Sequence, residues 1–533
     1  MAKILDFFRK IKKIAHRDEL SSASAEELRN AFKARYYNFQ LLLSANNKTL
    51  ELMSEMEQAL HGNQPFGMSF IRANCTAISV NVFRIIKNLD QLAPNKYKDL
   101  YERFRIIQEQ INSVLSKKKQ TKGEHLILPF SMVDKNLADQ VGSKMANVGE
   151  VKNQLDLRVP EGFVVTSLGY ERFFAHNDLQ SEIDRRLQAS EVEQLDQLYA
   201  LSADIQQLII RSTVPEDLET GIKEAYRELE KVSGAGCKVS MRSSALGEDA
   251  AGTSFAGQYR SQLNVSADNL IEAYKEIVAS KYSLQAISYR LNRGILDEDV
   301  AMCVGCMVMV NAVAGGVTYT RNPLNIRDDS IFINSVWGLP KSVVDGSVAS
   351  DLFVVSREEP LIIVRRDIKV KEHKFVCYPE EGVCRMDVTG DSHTRASLED
   401  HQVMELADMA LKLEEYYGGP QDIEWAVDPN GDIFVLQCRP LIQSEGTDKR
   451  FQTVDRPVVD GKVLLEGGAT ASPGVASGPV FVVTRNSDTL QFPRGAVLVT
   501  PQALPRAAGL LNRAVAGITE QGSVAGHLAN VAR

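Results

Sequence analysis

The sequence predicts a multidomain α/β (α+β) protein with a helical N-terminal module. Three observations carry this. Apolar residues over 21–119 recur at helical spacing, β-branched runs alternate with helical runs from about 127 to 442, and a polar, aperiodic stretch at 443–462 precedes a last strand-bearing segment. At 533 residues the chain suggests roughly three or four domains. With 44% hydrophobic and 24% charged residues it is neither a largely disordered chain nor a collagen.

In the first module, 1–120, Ser24 and Glu27 have the spacing of a capping box, and Leu28, Phe32, Phe39 and Leu43 follow as an apolar stripe. Further helical runs are expected over 68–89 and 97–115, with Pro65 and Pro94 in the breaks. An antiparallel three-helix bundle is the simplest packing. Residues 1–120 hold 20 Lys+Arg and 12 Asp+Glu, a net of +8; the whole chain is −8, so the remainder is −16. Solvated helix faces explain this blandly, and a basic module docking on an acidic body or partner is the sharper reading. No basic run interleaved with aromatics points to nucleic acid. His16 and His61 lack companions at metal-ligand spacing.

The N-terminus mixes apolar and basic residues without the apolar core or cleavage site of a signal peptide. The uncharged run 300–320 contains Asn311 and Gly315-Gly316, which suits two short strands joined by a turn better than a membrane span. Seven cysteines, an odd number spread thinly, favour a reducing compartment, so a soluble cytoplasmic protein is expected. Cys303 and Cys306 sit three apart in an apolar strand, face opposite sides and read as buried thiols.

Between 127 and 442, strands are expected at GFVVTS (162–167), KVSMRSS (238–244), MCVGCMVMV (302–310), GGVTYT (315–320), SIFINSV (330–336), LIIVRR (361–366) and DIFVLQCR (432–439). Helices are expected over 181–200, 269–290 and 401–417. Residues 443–462 read as a linker. The segment 463–533 offers strands VFVVT (480–484) and GAVLVT (495–500), then a helix-like 505–512.

Four stretches carry candidate chemistry. In VGSKMANVGE (141–150), a lysine among glycines precedes a helical run and can set an ammonium against a phosphate; a solvated lysine is the bland alternative. In residues 241–258, Arg242 ends a strand and is followed by small residues, the acidic pair Glu248 and Asp249, and Ser254 to Gln258. Such a loop lets backbone N–H groups approach phosphate oxygens, although a glycine-bearing hairpin would look alike. In residues 418–440, two apolar strands flank D-P-N-G-D. Period two puts Asp422 with Glu424 on one face and Gln437 with Arg439 on one face, a set suited to Mg²⁺ and a phosphoryl group. In residues 517–533, His527 follows Gly-Ser-Val-Ala-Gly, where an imidazole can take a phosphoryl group or merely cap a helix.

In this order, and with GGVTYTRNP, INSVWGLPKSVVDGSVASD and GGATASPGVASGPVFVV between them, these stretches resemble the phosphoenolpyruvate synthase (pyruvate, water dikinase) and pyruvate phosphate dikinase family from about 130 to 533. The resemblance implies an ATP-grasp nucleotide-binding domain over 127–442 and the start of a swivelling phosphohistidine domain over 463–533. It implies that Lys144, Arg242, Ser254, Gly257 and Met307 contact ATP, that Glu424 and Gln437 hold Mg²⁺, that Arg439 steadies the transferring phosphoryl group, and that His527 accepts it. The implied reaction converts ATP, pyruvate and water to AMP, phosphoenolpyruvate and phosphate, with pyruvate bound by a third domain that this chain does not contain. Four departures stand out. Ala525-Gly526 replace a usual Thr-Ser, Met307 a usual Gln in the purine-site strand, Lys341 a usual Glu, and the chain stops six residues past His527. A phosphotransferase with another small acceptor, such as a glucan or an antibiotic, and a non-catalytic nucleotide-sensing module are the alternatives. Homo-oligomer formation is left open.

Overall fold

A computed structural model describes residues 22–61, 68–94, 96–115, 123–189, 195–248, 259–293, 297, 300–323, 325, 328–378, 382–441, 464, 468, 470–472, 474–485, 488–489, 491–502, 510–511, 513–522 and 527–532. They fall into two compact units, one within 1–57 and 72–119, the other within 58–71 and 120–533.

Among the described residues, the first part of the chain holds three helices, α1 (Ser22–His61), α2 (Met68–Leu92) and α3 (Asp99–Leu115). Phe83 of α2 packs on Tyr101 and Phe104 of α3, at centroid distances of 6.0 and 5.7 Å. The expected apolar stripe is corrected here. Phe32, Phe39 and Leu43 are 65%, 47% and 44% exposed, and α1 buries Ala45, Thr49 and Leu52 instead. Ser24 lies inside α1 rather than at its start.

The second unit begins with β1 (Ile127–Pro129), α4 (Ala138–Gln154), β2 (Gly162–Val165), α5 (Ser167–His176), α6 (Leu179–Ala189), α7 (Leu195–Arg211) and α8 (Glu216–Ser233). It continues with β3 (Val239–Ala245), β4 (Ser261–Val265), α9 (Leu270–Ala279), α10 (Leu284–Arg293) and β5 (Met302–Val308). The five strands form an antiparallel sheet in the order β1-β2-β5-β3-β4. Helices α5 to α10 bury their apolar faces against one side of it. The expected single helices over 181–200 and 269–290 are each two helices. Ser280–Tyr282 forms a 3-10 turn between α9 and α10.

Next come β6 (Ala314–Tyr319), β7 (Ile331–Trp337), α11 (Lys341–Val344), β8 (Asp351–Val355), β9 (Ile363–Asp367), β10 (His373–Tyr378), β11 (Gly382–Asp387), α12 (Asp400–Tyr417), β12 (Gln421–Val427) and β13 (Ile433–Pro440). Six of these strands make a second antiparallel sheet, β13-β12-β6-β7-β8-β9, and β10 and β11 pair as a separate ribbon. The run 300–320 does form two strands, but β5 and β6 lie in different sheets rather than in one hairpin. Cys306 belongs to the core under α5 to α10 and Cys303 to the core shared by α4, α12 and the second sheet, so the two thiols do face opposite sides. Among the described residues no helix is long and apolar enough to cross a membrane.

The last strands, β14 (Val480–Val482), β15 (Val497–Gln502) and β16 (Ala516–Gln521), form a parallel sheet in sequence order, followed by α13 (His527–Ala532). The expected linker 443–462 and most of the helix-like 505–512 lie outside the described residues.

Candidate functional site

Helix α4 runs between the two sheets and supplies the first cation. It is kinked at Gly142, whose φ of 76° few side chains tolerate. A Cβ there would also strike the backbone oxygen of Ser244. Lys144 therefore lies in the first turn after the kink. Met145 locks that turn to β3, its backbone N–H donating to Ser244 Oγ at 3.2 Å. Gly305 on β5 is needed for a related reason, since a Cβ would strike the Met145 sulfur.

Lys144 Nζ donates to Glu248 Oε1 at 2.5 Å. Glu248 lies just beyond β3, and its other oxygen accepts the Ala245 N–H at 3.1 Å, which fixes the carboxylate in place. Arg242 occupies the inner face of β3, because its neighbours Met241 and Ala245 point into the opposite core. Its guanidinium crosses to the second sheet, donating to Glu424 Oε2 at 2.5 Å and to the Leu436 carbonyl at 3.0 Å.

The hairpin β12–β13 supplies the oxygens. Its register sets Asp422 opposite Arg439 and Glu424 opposite Gln437. Arg439 donates from Nε and Nη2 to Asp422 Oδ2 at 2.9 and 2.7 Å. Burial alone would push the Glu424 carboxyl up, but Arg242, Arg439 and Lys144 outweigh it and hold the group below the usual carboxylate range. Three cations thus converge on one buried carboxylate, beside an amide.

The structure brings together Lys144, Arg242, Glu424, Gln437 and Arg439. Met307 is on the same inner face of β5 as Gly305, the partner of Arg242, and is buried in the apolar core around α4. Lys341 heads α11, pairs with Asp345 at 2.6 Å and lies 5.7 Å from the Phe375 ring. Ser254, Gly257 and Ala525-Gly526 lie outside the described residues. His527 heads α13, which packs through Leu528 on the core of the parallel sheet. The reading from residue types left Glu248 without a role. Its spacing from Lys144 carries no local signal, because only the kink and the β3 turn make them neighbours.

The model of the pyruvate phosphate dikinase AMP/ATP-binding domain matches residues 138–456. The chain belongs to that family. The pyruvate phosphate dikinase match spans α4 to beyond β13 and so contains every residue of the cluster. Relatives named probable phosphoenolpyruvate synthase occur in Archaeoglobus fulgidus, 33% identical over 409 residues, and in Methanocaldococcus jannaschii, 34% identical over 389. They cover 76% and 72% of this chain, which in turn spans 53% and 32% of theirs. The phosphoenolpyruvate synthase of Escherichia coli is 33% identical over 426 residues, covering 76% of this chain and 53% of its own. The chain thus spans about half the length, or less, of these relatives.

Proposed function

We propose that the pyruvate phosphate dikinase-type region, taken as 127–442, is an ATP-grasp domain that binds Mg-ATP between its two sheets, and that the protein is a cytoplasmic dikinase resembling phosphoenolpyruvate synthase. The convergence of Lys144, Arg242 and Arg439 on Glu424, opposite Gln437, carries this reading. A triphosphate needs several fixed cations, and a hard metal ion needs oxygen ligands beside them.

Lys144 and Arg242 would turn from their carboxylate partners to phosphate oxygens. Glu424 and Gln437 offer a carboxylate and an amide oxygen on facing strands, a donor set that suits Mg²⁺ taking its other ligands from phosphate and water. Mg²⁺ held there would offset the charge of the triphosphate. Arg439, oriented by Asp422, would stabilise the charge on the moving phosphoryl group. His527, in the phosphohistidine domain proposed for 463–533, would take that group on a ring nitrogen and pass it to pyruvate held by a further domain. Water would take the other phosphoryl group, leaving AMP, phosphate and phosphoenolpyruvate. A carrier histidine on a tethered domain makes both encounters close to intramolecular. Residues 443–462 would be the tether, and 1–120 a separate helical module.

The test is incubation of the full protein with Mg²⁺ and β-radiolabelled ATP. Acid-labile, base-stable label that is absent from His527→Ala, together with AMP in solution, is the expected result. Saturable Mg-ATP binding with no label and no AMP would instead indicate a nucleotide-sensing module.

A further inference from the structure

We infer that Asn334 is a further residue of the same site, its side-chain amide donating to an oxygen of the bound nucleotide. This rests on the proposal that Mg-ATP binds between the sheets. The second sheet places the residue. Gln437 faces Glu424, Glu424 faces Val317, and Val317 faces Asn334, so all four lie in one cross-strand row. Directly opposed residues in antiparallel strands project to the same side. Asn334 therefore shares the face of the proposed metal ligands. At about 4.8 Å per strand it is roughly 10 Å from Glu424, a span that a nucleoside triphosphate covers.

The chemistry sets it apart from its neighbours. Asn334 is 2% exposed, as covered as Glu424 at 7% and Gln437 at 5%, and its Nδ2 has no hydrogen-bond partner. The buried hydroxyls of Thr318, Thr320 and Ser335 nearby are matched. Thr318 Oγ1 accepts from Trp425 Nε1 at 2.9 Å, Thr320 Oγ1 accepts the Gln421 N–H at 2.9 Å, and Ser335 Oγ lies 2.7 Å from Ser397 Oγ. The surroundings of Asn334 on its own face are Val317, Val336 and Phe332, with Val343 and Val348 packed over them. An aliphatic residue would fill such a place at lower cost, since a buried donor without an acceptor destabilises the fold. A phosphate or ribose oxygen of a nucleotide seated on this face supplies the missing acceptor.

The experiment titrates a Mg²⁺-bound non-hydrolysable ATP analogue into the full chain and follows affinity and melting temperature. Asn334→Ala is expected to bind about tenfold more weakly. Its ligand-free melting temperature should be unchanged or higher, because the unmet donor is gone. Asn334→Asp keeps the size but replaces the donor with an anion, and should bind more weakly still. Asn334→Ser retains a shorter donor and should fall between the parent and Asn334→Ala. A purely structural asparagine would give the reverse, a lower melting temperature with unchanged affinity, and would overturn the inference. If Asn334→Ala binds like the parent while Glu424→Ala loses binding, the inference fails and the nucleotide reading stands. If the parent chain binds no nucleotide, both fail.

Discussion

Arg242 and Glu424, 182 residues apart in the chain, meet at 2.5 Å and tie the two sheets together. Arg242 leans from β3, Glu424 sits on β12, and neither has much solvent to compensate it. Lys144 and Glu248 form a second such pair beside them. The site holds its own counter-charges, so a nucleotide and its metal must exchange partners with groups already matched.

That exchange gives Glu424 a two-sided signature. Glu424→Gln should abolish the tightening of ATP binding by Mg²⁺. Without Mg²⁺ it should bind free ATP more tightly than the parent, because Arg242 and Arg439 no longer face a competing carboxylate. Calorimetric titrations with and without Mg²⁺ measure both effects. An unaltered Mg²⁺ dependence in the variant would remove Glu424 from the metal site.

The pair Lys144 and Glu248 is suited to a double-mutant cycle. Removing one partner of a buried pair leaves a charge stranded, so Lys144→Met or Glu248→Gln alone should each cost about 3 kcal/mol of stability. The double variant should lose less than the sum, with a coupling of about 1 kcal/mol or more. Denaturant melts give these values, and strict additivity would mean that the contact contributes nothing. ATP should raise the stability of Glu248→Gln more than that of the parent, since phosphate can replace the lost carboxylate.

Lys281 predicts an alkaline effect of definite sign. It is buried beside Tyr170, whose hydroxyl lies 2.9 Å away, and near Asp297 at 3.3 Å. Burial, only partly offset by Asp297, lowers its ammonium to about 8. In the unfolded chain a lysine titrates near ~10.4. Between those values this lysine is protonated in the unfolded state and neutral in the folded one, so its own contribution to stability rises as pH increases through this window. The raised thiols and tyrosines of the core act in the opposite sense in both proteins, so the denaturant midpoint of the parent relative to that of Lys281→Met is what should rise across the window. Glu424 acts at the other end. Its lowered carboxyl stabilises the fold above the ordinary carboxylate range, and that contribution is lost as pH falls.

Cys303, Cys306 and Cys438 are buried, and burial pushes all three thiols up. Cys377 is half-buried and pushed up to about 11. A thiol reagent near pH 8 should leave the first three unmodified until the protein unfolds, which peptide mass mapping can read. Rapid modification of Cys438 in the native protein would show that the β12–β13 hairpin opens.

Local signals made much of the site visible in the sequence. The D-P-N-G-D turn and period-two alternation fixed the β12–β13 hairpin, and with it the faces shared by Asp422 and Glu424 and by Gln437 and Arg439. All eight strands expected before residue 442, the one bearing Asp422 and Glu424 included, are present. Five strands were missed: β1 is only three residues long, β8 is the short apolar DLFVV, and β4, β10 and β11 (SQLNV, HKFVCY and GVCRMD) carry polar or charged residues on half-exposed strands. Long-range facts had no local trace. Nothing near Arg242 names Glu424 as its partner, nothing in INSV shows the unmet amide of Asn334, and the pattern of 300–320 does not say that its strands part into two sheets. The stripe on α1 shows the opposite limit, since regular spacing identified the helix without telling which face is covered.

Among the described strands, the chain passes from the first sheet to the second once, across the five residues between β5 and β6, and does not return. A ribosome therefore releases all five strands of the first sheet, with Lys144 and Arg242, before any strand of the second. Glu424, Gln437 and Arg439 emerge last. A nascent chain stalled at residue 410 would expose cations with no carboxylate to meet them, and would rely on Glu248 alone to quiet Lys144 until the final hairpin arrived.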